Sequence, residues 1–258
     1  QVRVLRRASH YDIIYCGCQH DALLLGLFRY VGWLKTPVVL TMHHMVNPVF
    51  RSETMFKWFF GSISSFVCLH RRVANELLSE YRVQTDRVEV IEWGGDAAFY
   101  EQAALPSSGP AEPEQAFSVV AAGQTFRDYG TLIRAANDSD IRVKIFCTHD
   151  AVPGERLSPN ITIHAQDTLS TLQALLGHYA QASVIAIPMV HLPDKLIGLT
   201  SLIDAMGMGK PVVMTRNAHI DIDIEGEGIG IWVEPGDEEA WRRSLRYLQQ
   251  NRDTAAAM

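Results

Sequence analysis

From Tyr11 onward the chain alternates short apolar runs with segments of helical apolar spacing, and that alternation confines it to the parallel α/β class. Tyr11-Asp-Ile-Ile-Tyr15 predicts a strand, Leu23 to Leu34 a helix, and Thr36-Pro-Val-Val-Leu-Thr41 a buried strand. Phe50 to Phe60 predicts a helix, Ser65 to Leu69 a strand, Val73 to Tyr81 a helix and Val88 to Glu92 a further strand. Trp93-Gly-Gly-Asp96 then breaks the pattern, and Ala103 to Gln115, rich in Ala, Pro, Ser, Gly and Glu, has the composition of a linker.

A second series begins at Phe117. Strand Phe117–Ala122 leads into the loop Gly123-Gln-Thr-Phe-Arg127-Asp128, a helix to about Ala136 and strand Val143–Cys147. A strand near Ile161–His164, a helix from Leu169 to about Ala180 and strand Val184–Pro188 follow. Leu169, Leu172, Leu175, Leu176 and Tyr179 share one helical face, which suits a helix covering a sheet. Strand Ile229–Val233 and a helix after Pro235-Gly-Asp237 close the series. The expected organisation is two α/β domains facing a cleft, residues 1–100 and 117–258, joined by a linker at 101–116.

The most informative stretch is Gly198-Leu-Thr-Ser-Leu-Ile-Asp204, followed by Ala-Met-Gly-Met-Gly-Lys-Pro and the apolar run Val212–Thr215. A helix opening at Leu199 would present unsatisfied backbone N–H groups and the positive end of its dipole, which suit a phosphate oxygen. Thr200 and Ser201 add hydroxyls there. Asp204 falls on the same face about one turn further in, where its carboxylate could accept bonds from ribose hydroxyls. The competing reading is a capping box, Ser201-x-x-Asp204, with Asp where Glu or Gln is usual.

Composition narrows the chemistry. Residues 1–100 carry 11 Lys+Arg against 9 Asp+Glu, and residues 101–258 carry 12 against 20, which together make the net charge of −6. This balance lacks the concentrated basic face of a nucleic-acid-binding domain. Cys16, Cys18, Cys68 and Cys147 form no metal-ligand spacing and read as reduced thiols in a cytoplasmic protein. No metal site is called for, and neither a P-loop, a G-x-G-x-x-G, an H-E-x-x-H nor a nucleophile elbow occurs. Phe50–Phe60, with six large apolar side chains beside Arg51 and Lys57, suits either peripheral contact with a bilayer interface or a helix packed on its own domain.

Five pieces in order now carry a resemblance. They are Val90-Ile-Glu-Trp-Gly-Gly-Asp96-Ala-Ala-Phe99, the Gly123 loop with Arg127-Asp128-Tyr129, the Leu169 helix leading to Val184–Pro188, the Gly198–Thr215 stretch, and Val233-Glu-Pro-Gly-Asp237. The chain resembles the GT-B-fold retaining glycosyltransferases with the E-x7-E signature, family four or group 1 in type. The resemblance implies two Rossmann-like domains, with the N-terminal one incomplete. It also implies a metal-independent transfer of a sugar from a nucleoside-diphosphate sugar to a carbohydrate, lipid or small-molecule acceptor, with no permanently bound cofactor.

Carried over residue by residue, the resemblance assigns Asp204 to the donor ribose. Arg127, with Lys195 as a second candidate, is assigned to the diphosphate, beside Gly123, Gly198, Leu199, Thr200 and Ser201. It assigns His43, at the end of the Thr36–Thr41 strand, to the bound sugar or acceptor, with His44 as its neighbour. Two departures stand out: Leu196 replaces the first glutamate of the signature, and Gln124 stands where many members have arginine. The alternatives are a catalytically silent sugar-nucleotide-binding subunit, a sugar-nucleotide epimerase, and, for Arg127-Asp128, a solvated surface ion pair. His149 and His191 also end strands and stay unassigned. Measured against the family, the chain starts at about the fourth or fifth unit of the first domain and ends before the closing helices, as a truncated or naturally minimised enzyme would.

Overall fold

The computed structural model describes residues 2–103, 117–167 and 172–258. Two compact units result: residues up to Trp93 together with Asp194–Leu196, and Gly94–Pro193 together with Ile197–Met258.

In the first unit a short helix α1 (Val2–Leu5) precedes strand β1 (Ile14–Cys16), helix α2 (Leu23–Tyr30) and strand β2 (Val38–Met42). Helix α3 (Glu53–Phe59), strand β3 (Ser65–Cys68), helix α4 (Arg71–Ser79) and strand β4 (Val88–Val90) complete it. The strands pair in parallel in the order β1-β2-β3-β4. A strictly sequential order of right-handed crossovers sends every connecting helix to the same face of the sheet. Burial follows that rule. Ile14, Cys16, Val38, Leu40, Met42, Phe66 and Cys68 join one core cluster with Leu25, Phe56, Phe60, Val73 and Leu77 from the helices. On the other face Tyr15 and Glu89 are exposed and Val39 and Val67 are half-buried.

The aromatic stretch at Phe50–Phe60 turns most of its rings inward. Phe56 and Phe60 are buried, Phe50 meets the edges of Phe59 and Phe60 at 5.1 and 5.8 Å, and Phe56 stacks on Tyr81 at 4.0 Å. Trp58 is exposed. Ser52 starts α3 by accepting a bond from Met55 N–H at 3.3 Å. No helix among the described residues is long and apolar enough to cross a membrane.

The second unit opens with helix α5 (Ala97–Ala103), which the sequence pattern did not reveal. Residues 101–103, expected as the start of a linker, therefore finish a helix whose Tyr100 is buried; residues 104–116 lie outside the described residues. Strand β5 (Ser118–Ala122), helix α6 (Tyr129–Ala136), strand β6 (Arg142–Thr148) and strand β7 (Ile161–Gln166) follow. Next come helix α7 (Leu172–Gln181), strand β8 (Val184–Ile187), helix α8 (Leu199–Gly207) and strand β9 (Val212–Thr215). Strand β10 (Gly230–Val233) and helices α9 (Glu238–Gln250) and α10 (Arg252–Ala257) close the chain, the last an unexpected short helix. The start proposed for the helix at Leu169 falls in 168–171, also outside the described residues.

The second sheet is parallel throughout its described pairs, in the order β10-β9-β8-β5-β6-β7. Side chains alternate between two cores. Val119, Ala121, Val143, Ile145, Val184, Ala186 and Val213 pack on α6 and α9, with Trp241, Leu245 and Leu248 buried among them. Val120, Ala122, Phe146, Ile185, Ile187, Val212 and Met214 pack on Tyr100, Leu176, Tyr179, Leu202 and Ala205. Near-continuous apolar strands are what such double coverage requires. Helix α9 begins where Asp237 accepts from Ala240 N–H at 2.8 Å, and Glu238 and Glu239 in its first turn complement the dipole. The strand order reverses between β5 and β8, and a crevice at the carboxyl ends of the strands at such a switch point is where open α/β sheets bind ligands.

Candidate donor-binding site

The loops leaving β5 and β8 meet at this switch point and are stitched together. Asp128 N–H donates to Pro188 O at 3.1 Å and Val190 N–H to Phe126 O at 3.1 Å, with Arg127 and Met189 forming an antiparallel bridge. Gly123 ends β5 at φ 143°, and the Arg127 guanidinium fills the space that a Cβ there would need. Arg127 is fixed on several sides. Its Nε donates to Ala122 O at 3.0 Å, its Nη1 lies 2.7 Å from Met189 Sδ, and its Nη2 donates to Ser201 Oγ at 2.8 Å. Burial lowers its pKa, while the nearby Tyr129 and Tyr179 hydroxyls oppose that shift. An arginine remains a cation under any such shift. Tyr129 supports the loop from below by donating to Gly123 O at 2.9 Å.

The surface pair considered for Arg127 and Asp128 does not form. Arg127 turns toward Ser201, and Asp128 caps α6 by accepting from Thr131 N–H at 3.1 Å and from the Thr131 hydroxyl at 2.7 Å. Sequence neighbours diverge here because each has a stronger local task.

Helix α8 starts at Leu199, with Gly198 as its cap in the left-handed region at φ 86° and no side chain capping it. Only glycine takes that conformation without strain, and a Cβ at Gly198 would lie 2.6 Å from Met214 Cε. The first helical bond runs from Leu202 N–H to Gly198 O at 3.0 Å. The N–H groups of Leu199, Thr200 and Ser201 are thereby left without an intrahelical acceptor, as a helix start requires. This settles the capping-box question: Ser201 lies inside the first turn rather than ahead of it, and its hydroxyl accepts from Arg127. Asp204 is half-buried on the same helix and accepts from the Tyr100 hydroxyl, Oη to Oδ1, at 2.7 Å. Burial pushes the Asp204 carboxyl above its usual range, and the Tyr100 hydroxyl pulls it back down.

Gly123, Arg127, Gly198, Leu199, Thr200, Ser201 and Asp204 therefore belong to one unit and one end of one sheet. Lys195 groups with the first unit, beside Asp194, which pairs with Arg51 at 3.4 Å. Leu196 is half-buried, and Gln124 is exposed in the Gly123 loop. His149 lies 3.8 Å from Asp167 on the surface, and His191 is exposed.

His43 belongs to the first unit, directly after β2. Its Nε2 lies 2.7 Å from Gly17 O. A carbonyl only accepts, so Nε2 is the donor in this bond and Nδ1 is the ring's other polar atom. The loop that carries His43 is clamped by Gln19, which is buried. Gln19 Oε1 accepts from His43 N–H at 3.0 Å and His44 N–H at 3.3 Å, while Nε2 donates to His44 O at 3.2 Å and Met45 O at 3.4 Å. Glu76 holds the next residue, accepting from Val46 N–H at 2.8 Å. A cavity of about 470 Å³ in this unit, lined by Arg51, Lys57, Tyr81, Arg82 and Arg87 among others, includes none of these residues.

Tyr100, Met189, Gln19 and Glu76 escaped sequence reading. Each acts across 24 or more positions: Tyr100 and Asp204 are 104 residues apart, and Gln19 and His43 are 24 apart. The Trp93–Phe99 motif adjoins Tyr100 and was the one signal near it.

Comparison with known proteins supplies the family. Residues 1–99 match Glycosyltransferase Family 4, and residues 126–251 match Glycosyl transferases group 1. A D-inositol 3-phosphate glycosyltransferase from Corynebacterium jeikeium is 31% identical over 86 residues, 33% of this chain and 20% of that relative. The match thus spans about a fifth of the curated relative's length. Among solved structures, a glycosyltransferase from Rickettsia africae superposes with a TM-score of 0.69 at 17% identity, over 98% of this chain and 71% of that one. HepE from Anabaena, solved in complex with UDP, gives 0.70 at 14% identity, over 99% and 73%. Two parallel-sheet units, the switch-point site and the two matched families lead to one assignment: the chain belongs to the GT-B glycosyltransferases of the family 4 and group 1 type.

Proposed function

We propose that this chain is a glycosyltransferase whose second unit binds a nucleoside-diphosphate sugar. The observation that carries the reading is the Arg127 guanidinium held 2.8 Å from Ser201 Oγ, at a helix start with three uncommitted backbone N–H groups. A diphosphate placed there meets a fixed cation, amide donors and the positive end of α8 together. Departure of the diphosphate from the sugar concentrates negative charge on its oxygens, and Arg127 with the α8 amides receives that charge without rearranging. The reading therefore includes a transfer that needs no metal ion to stabilise the leaving group. Asp204 accepts from the ribose hydroxyls, and His43 offers Nδ1 to a hydroxyl of the sugar or acceptor. Retention of configuration is inferred from family membership.

A second reading, nucleotide-sugar binding without transfer, is favoured by Leu196 at the position of the family's first glutamate. An isobutyl group there can neither hydrogen-bond nor carry charge. One experiment separates the readings. UDP, GDP, ADP and their sugars are screened by thermal shift, since a ligand that binds the native state raises apparent stability by mass action. Transfer and hydrolysis are then followed with the best nucleotide sugar. Arg127→Ala should weaken its binding by about 10- to 100-fold, the scale of a lost charge-assisted contact of about 1.5–3 kcal/mol. Tight binding without turnover selects the second reading. Binding unchanged in both Arg127→Ala and Asp204→Ala refutes the site.

A further inference from the structure

Asp204 does not stand alone on α8. Tyr100 reaches it from α5 with a hydroxyl-to-carboxylate bond of 2.7 Å to Oδ1, and no second protein donor meets Oδ2 among the described residues. The tyrosine is itself fitted into place. It is 7% exposed, and its ring lies over two glycines, where a Cβ on Gly207 would fall 2.6 Å from ring atoms and one on Gly95 would fall 2.7 Å from Cε2. Any side chain at Gly207 would push the ring away from α8, so the helix accepts the weaker helix-forming residue there and gains a seat for the phenol.

A carboxylate offers about four acceptor directions on its two oxygens. An aspartate held only by its own two torsions samples several of its rotamers, whereas one anchored through a neighbouring hydroxyl presents its remaining oxygen in a fixed direction. We propose that Tyr100 is a positioning residue for the nucleoside part of the donor: it holds Oδ1 of Asp204 so that Oδ2 is aimed at a ribose hydroxyl. The inference rests on the donor-site reading above and deepens it. Tyr100 acts on the nucleoside and not on the diphosphate, because its hydroxyl is spent on Asp204 while Arg127 and the start of α8 serve the phosphates.

The bond also sets the acid limit of the site. A hydroxyl that donates to the ionised carboxylate favours the charged form and opposes the upward push of burial. Asp96 and Asp204 lie near the phenol of Tyr100, and Tyr179 on α7 is close enough to feel both Asp204 and Arg127. Without the Tyr100 hydroxyl the Asp204 carboxyl rises further. Its protonation, and the loss of an ionised acceptor for ribose, then begins at a higher pH.

The test is calorimetric titration of UDP, GDP, ADP and inorganic pyrophosphate into the full chain between pH 5 and 8, for the unaltered protein and for Tyr100→Phe, Asp204→Asn and the double variant. Tyr100→Phe should weaken the preferred nucleoside diphosphate by about 3- to 10-fold, the scale of one net hydrogen bond, and leave pyrophosphate unchanged. It should move the acid-side loss of nucleotide binding to higher pH. In the Asp204→Asn background the same change should add less than about twofold, the signature of two residues acting as one unit. Gly207→Ala, which displaces the ring while leaving the phenol and the carboxylate chemically intact, should reproduce the nucleotide loss. A Tyr100→Phe protein that is less stable but binds nucleotide with unaltered affinity and pH profile overturns the inference, as does an equal loss for pyrophosphate. An unaltered chain that binds none of the three nucleotides overturns the donor-site reading and this inference with it.

Discussion

Replacing Gln19 by leucine tests how the His43 loop is held. The amide supplies four bonds to the backbone of residues 43–45, two at 3.0 and 3.2 Å and two at 3.3 and 3.4 Å. Taking about 1 kcal/mol for each short bond and about half that for each long one, their loss costs about 3 kcal/mol. Leucine returns about 1 kcal/mol through greater apolar burial, which leaves a net destabilisation of about 2 kcal/mol. Urea unfolding at neutral pH measures this directly. The functional readout follows from the fold. His43 lies in the first unit, while Arg127, Ser201 and Asp204 lie in the second. Gln19→Leu should thus lower transfer as much as His43→Ala does and leave the affinity for a nucleoside diphosphate unchanged. Stability within about 0.5 kcal/mol of the parent, the ordinary range for a surface change, together with normal turnover would refute the reasoning. So would a matching loss of nucleotide affinity.

Two further substitutions probe the frame around the sites. Gly198→Ala places a side chain at φ 86° and against Met214; it should cost about 1–2 kcal/mol from the left-handed backbone alone and weaken nucleotide binding at least about tenfold by tilting the amides of α8, both read from thermal shifts with and without nucleotide. Glu76 is buried, and burial, the largest influence, raises its pKa despite the Val46 N–H bond, with Glu80, Arg51 and Asp194 also acting on it. Its folded pKa lies above its unfolded one, so the folded state binds the extra proton and stability declines as pH rises from the unfolded pKa through the folded one. Glu76→Gln, which keeps an acceptor for Val46, should be more stable than the parent at pH 7, with the difference vanishing toward pH 4; an unchanged pH profile of urea unfolding counts against this account.

The strands of the second unit were readable because parallel strands covered by helices on both faces must be apolar along their whole length, as Val119–Ala122 and Val184–Ile187 are. Boundaries moved where local hydrogen bonding won over periodicity. Gln19–Ala22 tightens into a 3-10 turn ahead of α2, and α2 stops at Tyr30 rather than at Leu34, with Gly32 in the left-handed region. Helix α5 was missed because its only large apolar residues are Phe99 and Tyr100, and it sits between a double glycine and a linker-like composition. The start of α8 was legible since it depends on backbone position, which Gly198 and the apolar run after it announce. Tyr100 and Gln19 were not, because a hydrogen bond between distant positions leaves no spacing in either local sequence. The proton on His43 Nε2 is a still later fact, fixed only once Gly17 O is in place.

The uncapped start of α8 carries a lesson for mutagenesis and for sequence comparison. Three of the donors aimed at the proposed diphosphate belong to the main chain of Leu199, Thr200 and Ser201, and no substitution other than proline deletes a main-chain N–H. An alanine scan across these positions would remove the Ser201 hydroxyl that accepts from Arg127 but would score Leu199 and Thr200 as dispensable while their amides stayed in place. Relatives could replace all three residues and keep the same donors, provided that the glycine before them stays. Extended one position back, such a scan would register Gly198, a residue with no functional group of its own, so the placement of these amides is recorded in the sequence by its least chemical member.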